Sequence, residues 1–271
     1  MKRNSIRVKA SLLAAMLSAS VVPDDALAVE ADPQGGWEVD YGKASCRLIR
    51  HLGAAAPGHR IEIERNWAFD GYRWALLGPT VHTLGAARSV DVALGAEPPR
   101  RFKAWGENEI RWHDEEGRLF AALQKSDRIG LTSPKRFEIT ASLPKTVEAV
   151  RALEACEDDL MKNWGVDASQ FRALLTTPQP VGQFGRWVTN DDITRDDVAN
   201  RREGNVTFLL RVDATGKVTG CRPIESSGHA ILDTRTCVLL LKRASFKPAR
   251  DAAGQNVPSF YINRTMWQLP R

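Results

Sequence analysis

The stretch 204–225 constrains the fold more than any other part of the chain. Val206, Phe208, Leu210 and Val212 recur at every second position, with Thr207 and Arg211 falling on the other side. A two-residue apolar period is the mark of a half-buried strand, because successive side chains of an extended chain point to opposite faces. Asp213-Ala214-Thr215-Gly216 then reads as a tight hairpin turn, with Gly216 able to take a positive φ. Residues 218–225 return as a second strand, broken by Ser226-Ser227-Gly228. Leu- and Val-rich residues 230–243 read as a helix, and 257–269 as a last strand. The expectation is a β-β-α-β unit of about 85 residues, a size at which a small independent core is feasible.

That order of elements, with five short motifs inside it, resembles the C-terminal domain of TonB, the periplasmic energy-transducing protein of Gram-negative bacteria. The motifs are Glu203-Gly204-x-Val206, Val212-Asp213…Gly216-Lys217-Val218, Ser226-Ser227-Gly228, Leu232-Asp233 and Phe246-x-Pro248-Ala249. Each is common alone; their order and spacing carry the likeness. The chain departs from the family where a Tyr-Pro pair usually opens the domain, since Ile193-Thr194 stand there. The resemblance covers 187–271. It implies an α+β domain that binds an envelope or outer-membrane partner, such as a TonB-dependent receptor-like peptide, in TonB-dependent transport. It also implies that the last strand lies at a sheet edge. The expected partner-binding residues are Phe260, Tyr261, Ile262, Asn263, Arg264, Thr265 and Met266, pairing with an extended peptide by strand addition. On that reading, proline at Asn263 or Thr265 blocks capture. The competing reading is that Phe260, Ile262 and Trp267 complete the core. Pro223 in the second strand has no N–H to donate and suggests a break or an edge there too.

The first residues address the compartment. Lys2, Arg3, Arg7 and Lys9 precede an apolar run at 10–22, and Ala26-Leu27-Ala28 gives a small-x-small pattern. This reads as a signal peptide over 1–28, with the exported chain starting at Val29 in the periplasm. As a helix the run spans about 20 Å, short of a hydrocarbon layer of about 30 Å. The alternative is an inner-membrane anchor through an uncleaved N-terminus. Export gives the four cysteines an oxidising setting. Keeping each bridge inside one domain predicts Cys46–Cys156 and Cys221–Cys237. The second closes a loop of about 17 residues and contributes roughly 3 kcal/mol on the chain-entropy model. No cysteine spacing matches a metal-ligand pair, and no histidine adjoins a cysteine.

The formal charge of +5 falls to about +3 once the four basic and two acidic residues of 1–28 are removed. That is too mild to point to nucleic acid. The basic balance after Trp187 suits contact with an acidic cell-wall polymer or an acidic peptide, though a solvated basic face is the commoner explanation.

Residues 34–165 are expected to form a mainly β domain of unassigned role, an antiparallel sandwich or barrel. Strand-like runs at 46–49, 60–64, 73–77, 89–93 and 136–140 recur about every 12–15 residues between Gly- and Pro-bearing turns. An amphipathic helix over 146–164 closes the domain, with Val147, Val150, Leu153, Leu160 and Met161 on its apolar side. Six of the eight tryptophans fall here, suited to core packing or, if exposed, to glycan or peptide contact. A Pro/Gly linker is expected at 176–186. Nucleotide-binding, metalloprotease and nucleophile-elbow motifs are missing, so neither a catalytic residue nor a cofactor is expected. Ser226 and Ser227 beside His229 read as a strand-to-helix turn with Ser as N-cap. The alternative function is a secreted hydrolase or cell-wall-binding enzyme with a cleft where His59, Asp70 or His113 converge.

Overall fold

Alternating burial dictates the first unit. In Cys46–His51 and Ser89–Leu94, every second side chain is buried, so each strand has one face in a core and one in solvent. A computed structural model describes residues 5–7, 36–67, 71–82, 89–134 and 136–269. It divides into two compact units, 1–157 and 158–271.

The strands of the first unit are β1 (Ser5–Arg7), β2 (Trp37–Tyr41), β3 (Cys46–His51), β4 (Arg60–Asn66) and β5 (Gly71–Leu77), then β6 (Ser89–Leu94), β7 (Arg100–Trp105), β8 (Ile110–Asp114), β9 (Arg128–Ser133) and β10 (Phe137–Ser142). They form one antiparallel sheet in the order β1-β2-β3-β4-β5-β8-β7-β6-β9-β10, curled as a half-barrel rather than closed into the expected sandwich or barrel. Strand β7 joins its two parts, pairing with β6 along Arg100 to Lys103 and with β8 only at Ala104 and Trp105. The helices are α1 (Pro79–His82), α2 (Arg118–Leu123) and α3 (Thr146–Asn163).

Cross-strand partners Trp74 and Trp112 are fully buried, with Leu48, Ile61, Ile63, Ile129 and Leu131. Trp37 is buried too, its indole N–H donating to the Pro144 carbonyl at 2.8 Å. Of the tryptophans in this unit, Trp105 is exposed, so core packing accounts for most of them. Helix α3 buries Ala149, Val150, Leu153 and Cys156, while Val147, expected on its apolar side, is exposed. Cys46 bridges Cys156 with Cα atoms 6.0 Å apart, tying β3 to α3. Next to the bridge in sequence, buried Glu157 accepts from Arg65 Nε at 3.0 Å. The outward faces carry alternating charge, with Arg47 and Arg60 both on Glu62 and Arg73 on Glu64. Strand β1 pairs with β2 (Ile6 opposite Val39); the rest of the expected signal peptide, with its cleavage point, lies outside the described residues. Among the described residues no helix is long and apolar enough to cross a membrane.

The second unit holds α4 (Ala168–Arg172), β11 (Gln179–Pro180), α5 (Arg195–Ala199), β12 (Gly204–Val212), β13 (Val218–Glu225), α6 (Ala230–Arg243), β14 (Phe246–Lys247), β15 (Ala249–Arg250), β16 (Asn256–Val257) and β17 (Ser259–Trp267). The predicted β-β-α-β order is present, as an antiparallel sheet in the order β13-β12-β17. Asp213 shapes the hairpin by accepting from the N–H groups of Thr215 and Lys217 at 2.9 and 3.0 Å. Gly216 takes φ +88°, where a Cβ would lie 1.9 Å from the Phe246 carbonyl oxygen. Cys221 bridges Cys237, fixing α6 across the sheet.

Two features differ from the sequence reading. The expected linker is bound into the second unit: Gln179 pairs with Lys247, Val181 N–H donates to the Ser245 carbonyl, and Leu175 N–H to that of Arg250. Its prolines fit because the pairing is one two-residue ladder and a single bridge from Thr176 to Arg250, which need few donors. The serines before α6 are not its N-cap. His229 holds that position, and both serine hydroxyls donate to Asp233, in the first turn of the helix, at 2.5 and 2.8 Å.

Candidate functional site

The face of the β13-β12-β17 sheet toward α6 is closed by the even residues of β12 and odd residues of β17. Val206, Leu232 and Trp267 form its core, and Trp267 Nε1 donates to Thr236 Oγ1 at 2.9 Å. Toward the hairpin, Phe184, Trp187, Phe246 and Tyr261 stack within 4.8–6.5 Å of one another or of Phe208.

The opposite face, left to solvent by a strict alternation, is covered as well. Thr207 and Leu209 are buried there with Phe260 and Ile262. The segment 164–174 supplies the cover. Arg222 Nη2 donates to the Trp164 carbonyl at 2.7 Å, and the Phe171 ring sits 4.7 Å from that of Phe260. Beneath this segment lies a groove of about 810 Å³. Leu209 and Phe260 form its floor, Val166, Phe171 and Leu174 one wall, and Val257 and Pro258 another. The sequence reading missed this half of the site. Its signal was Asp167, an N-cap whose carboxylate accepts from the Ser169 and Gln170 N–H groups, followed by Phe171 and Leu174 three apart.

Of the seven residues expected to bind a partner, five are half-buried or buried in the unit's own core. Phe260, Tyr261, Ile262 and Thr265 are under a tenth exposed, and Asn263 is intermediate. The Tyr261 hydroxyl accepts from Asn263 Nδ2 at 2.7 Å, and burial pushes its phenol up to about 12. Arg264 and Met266 are exposed, Met266 by 67%. Arg264 lies 3.6 Å from Glu225, which accepts from the Thr207 hydroxyl at 2.8 Å. The core reading therefore holds for the side chains of Phe260, Ile262 and Trp267.

The backbone of β17 is another matter. Strand order puts β17 at one edge, with β12 on one side only. Three bonds fix which of its groups face β12. Asp213 N–H donates to Lys217, so odd residues of β12 face β13 and even ones face β17. Even residues of β12 oppose odd residues of β17, as Val206 opposes Thr265. Leu269 N–H points to the β12 side and donates to the Glu203 carboxylate at 2.8 Å, while Arg264 N–H turns away and donates to Asn263 Oδ1 at 2.7 Å. Because opposed residues in an antiparallel ladder alternate between bonded and non-bonded pairs, the N–H and C=O groups of Phe260, Ile262, Arg264 and Met266 point outward. Asn263 and Thr265 donate inward. Proline there would break the ladder with β12, so the outward-blocking positions are Arg264 and Met266. At the other edge, Pro223 opposes Phe208 beside a register shift, and its nitrogen points away from β12.

The buried carboxylate of Asp197 anchors α5 to α6. It accepts from Thr194 N–H and Oγ1 at 2.8 and 2.6 Å and is paired with Arg235 and Arg202. Burial opposes its ionisation, but the bonds from Arg235 and Thr194 hold it well below the usual carboxylate range.

In the first unit, His59 is buried and its ring lies 3.1 Å from the Pro57 carbonyl. His113 opposes Arg73 on β5, and burial, with Arg73 nearby, lowers its pKa. His59 precedes Arg60, which opposes Leu77. Arg73 and Leu77 stand four positions apart on β5, about 13 Å along the strand, so the two histidines do not converge. Asp70 lies outside the described residues. Among the described residues no group of three His, Cys, Asp or Glu side chains could hold a metal ion.

No curated protein and no solved structure matches the chain. The stretch from the start of α5 to just past β17, under a third of the chain, matches the family model of the Gram-negative bacterial TonB protein C-terminal at residues 195–269.

Proposed function

We propose that the chain is an exported, TonB-like envelope protein whose C-terminal unit captures an extended segment of an envelope or outer-membrane protein as a fourth strand on β17. The observation that carries this is the row of outward backbone groups at Phe260, Ile262, Arg264 and Met266, at the edge of a sheet within the matched region. Main-chain bonds supply affinity in such strand addition, and the exposed side chains of Arg264 and Met266 supply choice of partner. Two disulfides agree with an oxidising compartment. The bound state of 176–186 favours a capture module over a rod that reaches across the periplasm.

Met266→Pro tests the reading, because this residue is exposed and its N–H faces outward. Site-specific cross-linking from Arg264 in intact cells should trap a discrete envelope protein in the parent and in Met266→Ala, and lose it in Met266→Pro. Undiminished cross-linking in a folded Met266→Pro variant would refute the edge as the site.

A further inference from the structure

We infer that the groove beneath 164–174 is an anchor pocket for the same captured segment, taking one apolar side chain that flanks the paired strand and a basic residue beside it. The inference rests on strand addition at β17. Phe260 belongs to both features: its ring forms part of the groove floor, and its backbone is the first outward group of β17. Beyond it, Pro258 offers no N–H, so a strand laid along β17 runs out of ladder at the groove wall formed by Pro258 and Val257. A flanking residue of that strand then meets apolar surface at Leu174 and Phe171 instead of another edge.

The volume, about 810 Å³, accommodates a large aliphatic or aromatic side chain and its neighbours. Charge selects the neighbour. Asp167, Asp213 and Asp251 line the groove against the single cation Arg211. Each aspartate is held in place by backbone N–H donors of its own turn: Ser169 and Gln170, Thr215 and Lys217, Ala253 and Gln255. These fixed carboxylates suit a lysine or arginine next to the apolar anchor and disfavour an acidic residue there. The segment 164–174, which walls the groove, lies outside the matched region 195–269, and the floor lies inside it.

The probes are fluorescein-labelled synthetic peptides: an alternating Thr-Val octamer, and the same octamer with Leu-Arg or Leu-Glu added at either end. Anisotropy titration uses the full mature chain. One Leu-Arg peptide should bind at least tenfold tighter than the octamer and its Leu-Glu counterpart clearly more weakly than Leu-Arg. Ala173→Trp, which fills the groove from an exposed position, should remove the gain and leave octamer binding intact. Gln170→Lys should shrink it. Met266→Pro should abolish binding of every peptide. If the octamer binds and neither Leu-Arg extension helps, or if the gain survives Ala173→Trp, the pocket is overturned while strand addition stands. If nothing binds, strand addition falls and the pocket with it.

Discussion

Removing the Asp197 carboxylate should loosen the second unit more than any other single charge change. Asp197 is fully buried and closes a capping box with Thr194 at the start of α5, and its two oxygens receive Arg235 from α6 and Arg202. Arg235 is only 19% exposed and lies over the Trp267 ring, 5.6 Å from its centre. Asp197→Ala therefore strands a largely desolvated guanidinium and leaves two Thr194 groups without their acceptor. Breaking a buried pair in this way costs about 3–5 kcal/mol. With a urea slope of about 2 kcal/mol per molar, the midpoint should fall by roughly 1.5–2.5 M. The readout is tryptophan fluorescence, to which Trp267 and Trp187, both buried in this unit, contribute. Arg235→Met alone should also destabilise. The double variant should be less harmful than the sum, because no charge is then left unpaired. A midpoint shift below about 0.5 M, or strict additivity of the two changes, would refute the view that this pair fastens α5 to α6.

Non-reducing peptide mapping should recover Cys46 joined to Cys156 and Cys221 joined to Cys237, with Cys237→Ser costing about 3 kcal/mol in a urea titration. Acid should weaken the second unit. Asp192, bonded by Arg243, and Asp197 have carboxyls held below their ordinary values, so their stabilisation is full at neutral pH. It is lost as pH falls through and below the usual carboxylate range, and urea midpoints at pH 7, 4.5 and 3 should decline in that order. Edman sequencing of the exported form should begin at Val29; an intact Met1 in inner-membrane fractions would favour the anchored alternative. Arg222→Ala should raise amide exchange at 164–174, since it removes the bond to the Trp164 carbonyl.

The β-β-α-β unit was legible because its signals are local. Period-two burial in β12, the Asp213–Gly216 turn and the Leu-rich stretch of α6 each depend on neighbours in sequence, and the extents of β13 and α6 match their expected bounds. The paired cysteines were legible for a related reason, since keeping bridges within domains left one pairing. What the sequence hid was contact over distance. Leu209 looks like the wet side of a strand until 164–174 folds over it, and Thr207 until Glu225 and Arg264 close on its hydroxyl. The proline-bearing stretch 176–181 looks like a tether until its two-residue ladder with 246–247 and its bridge to Arg250 appear. Strands β7 and β8, carrying Arg100, Arg101, Lys103, Arg111 and His113, are too charged to announce themselves, though Trp112 between them is among the most buried residues. Which backbone groups of β17 face outward follows only from register, and sequence carries no parity.

The two borders of the β13-β12-β17 sheet are chemically unequal. One ends in β17, whose outward groups at Phe260, Ile262, Arg264 and Met266 are broken only where Asn263 Oδ1 takes the Arg264 N–H; the other ends in β13, interrupted by Pro223 and a register shift. A sheet with two regular borders can template its own stacking, each added chain exposing a fresh border to the next. Here the irregular border ends the series. A peptide laid on β17 has nothing equivalent to build upon across the sheet, so occupancy should saturate at one segment per chain. Crowding of captured segments should then produce a waiting queue of free ligand instead of a growing fibre.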